Sequence, residues 1–308
     1  MSSILKIALV QSNFKVGDLK YNSSKIIEVI EKAKIKKLDL LCFPEMAVSG
    51  YPPEDLLLSN AFHKQIKKAL NDILKHTVGI TCIVGHPSIK KDKILNSASV
   101  LRNKKNIGTY NKNELPNYGV FDEKRYFSSG NEIFNFKIKG HKIGLSICED
   151  IWINESKYLN KDIPDLLLNL SASPFTINKQ KQRMSIIKNF ISKSKIPVGY
   201  CNLIGGQDEL VFDGNSMFLN SEGKVVGCAK SFHEDLLVSN FPFKNIKSVK
   251  TNAKNAKVFD ALVLGLKDYV SKNGFSKVVI GISGGVDSAL VAAISVKALG
   301  KSNVLGIA

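Results

Sequence analysis

Short apolar runs alternate with longer amphipathic stretches along this chain, and that alternation limits the folds open to it more than any other feature. Residues 4–10 (ILKIALV) read as a strand, 22–36 (NSSKIIEVIEKAKIK) as a helix with a polar cap, and 38–43 (LDLLCF) as a second strand closed by Pro44. This is a β-α-β unit, and the spacing predicts an α/β protein. A helix at 61–75 follows, then a strand at 80–84 and a hairpin pair at 94–101 and 106–110. Further strands are predicted at 141–147, 165–170, 196–203 and 215–219, the last leading into a turn from Asn220 to Gly223.

The rhythm changes at 240–257 (NFPFKNIKSVKTNAKNAK), which is polar, lysine-rich and without apolar periodicity. A linker there divides the chain into a domain over 1–245 and a segment over 246–308. That segment reads as a helix at 257–271, a strand at 277–282, the turn SGGVDS, a helix at 287–299 and a strand at 303–307. Strand, glycine turn, helix and strand open a nucleotide-binding α/β fold. Two strands and two helices are too few to bury a core, so an incomplete second domain that leans on the first or stays mobile is expected.

Composition excludes several classes. No apolar run approaches the roughly 18 residues of a membrane span, and the first residues, broken by Lys6 and Gln11, do not resemble a secretory signal. A cytoplasmic protein with no membrane partner is expected. The five cysteines, Cys42, Cys82, Cys148, Cys201 and Cys228, are odd in number and widely spaced, against a disulfide framework or a CxxC metal site. A net charge of +17 suggests nucleic acid, but only Arg102, Arg125 and Arg183 are arginines and the lysines are scattered. Lysine-rich solvated helix faces explain the excess, so no nucleic-acid partner is expected.

Three segments carry chemistry. Cys148, in GLSICEDIW, stands directly after an apolar strand, where α/β enzymes place nucleophiles on tight turns. Glu45, in LCFPEMAVSGYPPEDLLL, leaves a strand end beside Pro44. Lys112 begins a loop rich in aromatics, in YNKNELPNYGVFDEKRYFSSG. A fourth segment, SGGVDS, joins a strand to a helix, so glycines, serine hydroxyls and the helix N-terminus suit a pyrophosphate there. It is not a Walker loop, because no GK[ST] follows.

Together the first three segments resemble the nitrilase (carbon-nitrogen hydrolase) superfamily, and most closely the glutaminase domain of the glutamine-dependent NAD synthetases. SGGVDSAL is similar to the PP-loop of ATP pyrophosphatases. The resemblance implies a nitrilase-type α-β-β-α sandwich followed by the truncated start of a Rossmann-like ATP-pyrophosphatase domain. It implies a triad of Glu45 as base, Lys112 as cation and Cys148 as nucleophile, with the backbone N–H of Glu149 completing the oxyanion site. Tyr51 and Tyr118 fall where the family lines its glutamine pocket, Glu123 matches the glutamate that positions the lysine, and Ser173 and Lys179 would hold the α-amino and α-carboxylate groups. Ser283, Gly284, Gly285, Val286, Asp287 and Ser288 would contact ATP. The implied partners are glutamine, ATP with Mg²⁺, nicotinate adenine dinucleotide and further copies of the chain, with no metal or cofactor in the glutaminase half. A stand-alone nitrilase-type amidase is the alternative, which the SGGVDS loop disfavours.

Overall fold

The computed structural model describes residues 3–153, 162–243 and 254–308. The first strands in chain order are β1 (Leu5–Gln11), β2 (Leu40–Cys42), β3 (Thr81–Lys90), β4 (Lys93–Arg102) and β5 (Lys105–Asn111). Next come β6 (Asn135–Ile138), β7 (His141–Ile147), β8 (Leu166–Ser171), β9 (Val198–Asn202), β10 (Ile204–Gln207) and β11 (Leu210–Asp213). The remainder are β12 (Met217–Leu219), β13 (Val225–Cys228), β14 (Asp235–Phe241), β15 (Val278–Gly281) and β16 (Val304–Ile307). The helices are α1 (Leu19–Ile35), α2 (Asn60–Lys75), α3 (Glu123–Tyr126), α4 (Asp150–Ile153), α5 (Lys179–Ser194), α6 (Lys254–Lys272) and α7 (Val286–Leu299).

Two six-stranded sheets, β14-β1-β2-β3-β4-β5 and β13-β12-β9-β8-β7-β6, pack face to face. Each has a parallel centre, β1-β2-β3 in one and β7-β8-β9 in the other. Strand periodicity sorts the side chains. Leu5, Ile7 and Leu9 meet Leu166, Leu168 and Leu170 between the sheets, while Ala8 and Val10 turn outward to Ile26, Ile30, Ile66 and Ile73 of α1 and α2. On the opposite surface Leu167, Val198 and Met217 pack against Ile187, Phe190 and Ile191 of α5. Strands buried on both faces must be apolar throughout, which is why they stood out in the sequence. Each fully buried aliphatic side chain contributes about 1.5–3 kcal/mol.

The structure departs from the sequence expectation in several elements. β3 extends to Lys90 rather than ending at residue 84, because its polar continuation is satisfied across the ladder: His86 Nε2 meets Ser99 Oγ at 2.7 Å and Ser88 Oγ meets Ser97 Oγ at 2.6 Å. β14 reaches into the stretch expected to be linker and pairs antiparallel with β1 from Leu5↔Phe241 to Gln11↔Asp235. As an edge strand it is only partly covered, so its apolar signal is diluted. α5 was not anticipated; its buried residues Arg183, Ile187, Phe190 and Ile191 follow helical spacing, but lysines and glutamines surround them. The short strands β6, β10, β11 and β13 were missed as well.

Residues 244–253, within the expected linker, lie outside the described residues, and α6 begins at Lys254, inside the stretch expected to be linker. α6 packs on the β10-β11 hairpin, where a Cβ added to Gly206 would sit 3.0 Å from the Gly265 Cα. Beside that contact the buried Asp268 carboxylate accepts hydrogen bonds from Asn13 Nδ2 (2.6 Å) and the Gly206 N–H (2.7 Å). Lys272 Nζ donates to the carbonyls of Phe14 (3.1 Å) and Gly206 (2.8 Å). β15 and β16 form a parallel pair, with α7 as the crossover. Among the described residues no helix is long and apolar enough to cross a membrane.

Candidate active site

Glu45 follows β2, Lys112 follows β5 and Cys148 follows β7, so strands from both sheets deliver them to one end of the sandwich. The Glu45 segment is stitched to β3 by Phe43 N–H to Ile83 O (2.9 Å) and Val48 N–H to Gly85 O (3.1 Å). Gly85 has to be glycine, since a Cβ there would lie 2.4 Å from the Pro44 carbonyl oxygen and 2.9 Å from the Glu45 Cα. Lys112 continues the β4-β5 ladder through its N–H to Asn96 O (2.8 Å). Cys148 adopts φ +44°, the strained turn of an exposed nucleophile's elbow, although here the side chain is buried.

The polar groups form one network. Lys112 Nζ bridges Glu45 Oε1 and Glu123 Oε1, both at 2.8 Å, with all three side chains buried. Asn96 Nδ2 donates to Glu45 Oε1 (2.7 Å), the Ala172 N–H to Glu45 Oε2 (2.9 Å), and Tyr51 Oη to Glu123 Oε1 (2.9 Å). Glu123 therefore stands behind the lysine, and the Tyr51 hydroxyl is committed to that glutamate. Burial pushes the Cys148 thiol up, Glu45 adds to the effect and Lys112 opposes it. Burial also works against the charge of Lys112, but Glu123 and Glu45 outweigh it and hold the ammonium well above its usual range. Burial raises the Glu123 carboxyl from 4.5 to about 7. A neutral thiol beside a carboxylate and a fixed cation is a nucleophile waiting for a base.

Asp150, which sequence reasoning missed, ties the elbow to the lysine loop. Its Oδ2 accepts from the Ile147 N–H (2.8 Å) and Tyr110 Oη (2.7 Å), its Oδ1 from the N–H groups of Asn113 (3.0 Å) and Glu114 (2.8 Å). The signal available in the sequence was its place two residues after the cysteine. Burial pushes Asp150 up to about 6, against the hydrogen bonds it accepts.

Around the thiol, Tyr118 Oη donates to Glu149 Oε1 (2.8 Å). The Lys179 ammonium lies 4.5 Å from the centre of the Trp152 ring, half-buried, and burial followed by the neighbouring Arg183 lowers its pKa. Ser173 Oγ accepts from Nε of Arg183 (3.1 Å), a second residue missed in the sequence because it stood as one more cation in a lysine-rich stretch. The SGGVDS loop stands apart from this cluster at the end of β15. There Gly284 takes φ +80°, Ser288 Oγ donates to Gly285 O (3.0 Å) and contacts Ser283 Oγ (3.1 Å), and Val286 and Asp287 open α7. Among the described residues no group of three or more His, Cys, Asp or Glu side chains is placed to hold a metal ion.

Comparison with known proteins gives two adjoining family matches, Carbon-nitrogen hydrolase over residues 6–251 and NAD synthase over residues 258–308. The chain is 38% identical to the glutamine-dependent NAD(+) synthetase of Thermotoga maritima, over 98% of this chain and 60% of that protein. The solved structure of the Acinetobacter baumannii glutamine-dependent NAD+ synthetase, in complex with ADP, superposes with a TM-score of 0.93 at 37% identity, covering 99% of this chain and 59% of that one. An amidase of the nitrilase superfamily from Nesterenkonia shares the sandwich alone, with a TM-score of 0.69 and 21% identity over 79% of this chain and 92% of its own. The chain thus spans about 60% of the length of the synthetases it matches.

Proposed function

Given that the chain belongs to the carbon-nitrogen hydrolase family, we propose that residues 1–245 are a glutaminase and residues 246–308 open the ATP-using half of a glutamine-dependent NAD synthetase. The observation that carries the reading is the buried Glu45–Lys112–Glu123 network acting on the Cys148 thiol. Glu45 takes the thiol proton as sulfur attacks the side-chain amide carbon of glutamine. Lys112 and the Glu149 N–H stabilise the oxyanion. Ammonia leaves with the proton Glu45 returns, and a glutamyl thioester remains. Water, deprotonated by Glu45, then releases glutamate and restores the thiol.

Ser173 and Lys179 meet the α-groups of glutamine, with Tyr118 and Glu149 at the edge of the pocket. In the second half, Ser283 to Ser288 offer hydroxyls, glycine backbone and the first turn of α7 to the phosphates of ATP. The complete reaction amidates nicotinate adenine dinucleotide to NAD with that ammonia. Among the described residues no carboxylates cluster to hold the Mg²⁺ that would accompany ATP. The five cysteines are free thiols, which suits a cytoplasmic location.

The test is to supply glutamine and measure glutamate and ammonia. Equimolar release, lost by about three orders of magnitude or more in Cys148→Ala and Glu45→Gln, is expected. No release from the unaltered chain would overturn the reading.

A further inference from the structure

We propose that Asn169 is a positioning residue for the oxyanion site: its side-chain amide holds the Cys148 carbonyl and thereby keeps the Glu149 N–H turned toward the oxygen on which charge develops. The proposal rests on the glutaminase reading and assigns a role to a buried amide that stands behind the triad.

β8 (LLLNLS) is buried along its whole length. Leu166, Leu168 and Leu170 face between the sheets, so Asn169 shares the α5 face with Leu167. A buried amide in an apolar strand costs free energy unless its polar atoms are bonded. Those of Asn169 all are. Oδ1 accepts from Ser171 Oγ (2.7 Å), while Nδ2 donates to Ser146 Oγ on the paired strand β7 (2.9 Å) and to Cys148 O (3.4 Å). The reverse setting of the amide would put Oδ1 against the Cys148 carbonyl, acceptor against acceptor. The amide nitrogen therefore faces the elbow.

The Cys148 N–H donates to Leu170 O (2.8 Å), so β8 holds the nucleophile's peptide groups on both sides, by main chain before it and by Asn169 after it. Cys148 lies at φ +44°, a conformation that persists only where the surroundings fix it. A peptide group is planar and trans, so the Cys148 C=O and the Glu149 N–H point in opposite directions. Binding the carbonyl to Asn169 turns the N–H away from β8. Among the described residues nothing accepts that N–H. A donor fixed before the reaction stabilises an oxyanion without reorganising, whereas a flipped peptide would present its carbonyl and repel the charge.

Asn169→Leu keeps the side chain's size and removes both donors. It should lower kcat for glutamine by about tenfold to a hundredfold and leave KM within about threefold, because the N–H is needed in the transition state rather than for binding. Alkylation of Cys148 by iodoacetamide is the second readout. There a sulfur–carbon bond forms as the carbon–iodine bond breaks, iodide leaves with the electron pair, the thiol proton passes to Glu45 and then water, and no oxyanion is built. The variant should keep that rate within about threefold of the unaltered chain. Ser171→Ala removes the hydroxyl that sets the amide, and should lower kcat by about threefold or more with the same split.

Equal slowing of hydrolysis and alkylation would show a merely structural role, and an unchanged kcat in Asn169→Leu would show that the amide does not set the peptide; either result overturns the proposal. If Asn169→Leu fails to fold, an unchanged kcat in Ser171→Ala overturns it alone. An unaltered chain that is alkylated at Cys148 yet releases no ammonia from glutamine would instead sink the glutaminase reading, and the proposal with it.

Discussion

Cys148 shows how far burial and neighbouring charge oppose each other at a single atom. Its thiol is pushed up by burial and by Glu45, and Lys112 pulls the other way, so in the proposed mechanism proton transfer to Glu45 accompanies attack. Cys42, Cys82 and Cys201 are buried in β2, β3 and β9, and burial likewise raises Cys42 and Cys82. Brief treatment with a diazo-ketone analogue of glutamine should therefore label Cys148 before any other thiol, as peptide mapping would show. Preferential labelling at Cys42 or Cys201 would contradict the site. Glu123 supplies a pH signature. The unfolded chain releases this proton near 4.5 and the folded one holds it to about 7, so ionising Glu123 costs stability as pH rises across that window. Denaturant midpoints should fall between these two values, and fall less in Glu123→Gln.

Elements meet at the site through a few side-chain acceptors. Asp150 accepts two hydrogen bonds from β7 and β5 side and main chain and two from the N–H groups that follow Lys112, so it fixes the elbow relative to the lysine. Asp150→Asn would turn an NH₂ group toward donors that need an acceptor. The variant should lose about 2–4 kcal/mol of stability by urea unfolding and most of its glutaminase rate. A rate and stability equal to those of the parent would remove Asp150 from its place in the site.

Across the whole molecule, Asp268 and Lys272 fasten α6 to the hydrolase sandwich. The Asp268 carboxylate receives Asn13 and the Gly206 N–H at a point where Gly206 and Gly265 bring two backbones together. Asp268→Ala leaves these donors unpaired and should cost about 2–3 kcal/mol. Hydrogen exchange would locate the loss: the Gly206 amide and residues 257–272 should exchange faster, while β7 to β9 keep their protection. Uniform protection throughout would show that the clasp does not hold the helix.

The sequence by itself determined the strand-helix alternation, the central strands of both sheets, the Glu45, Lys112 and Cys148 positions and the SGGVDS turn. These were legible because doubly buried strands must be continuously apolar and because the chemistry stands at their ends. Tertiary structure decided the rest. β14 is a strand because β1 offers it an unpaired edge, and α5 is anchored by Arg183, whose burial is possible only beside Asp213 on β11. Asp150 matters because four donors from separate segments converge on it. Local sequence carries propensity and pattern, but a hydrogen bond between residues 30 or 37 positions apart exists only once the chain has folded.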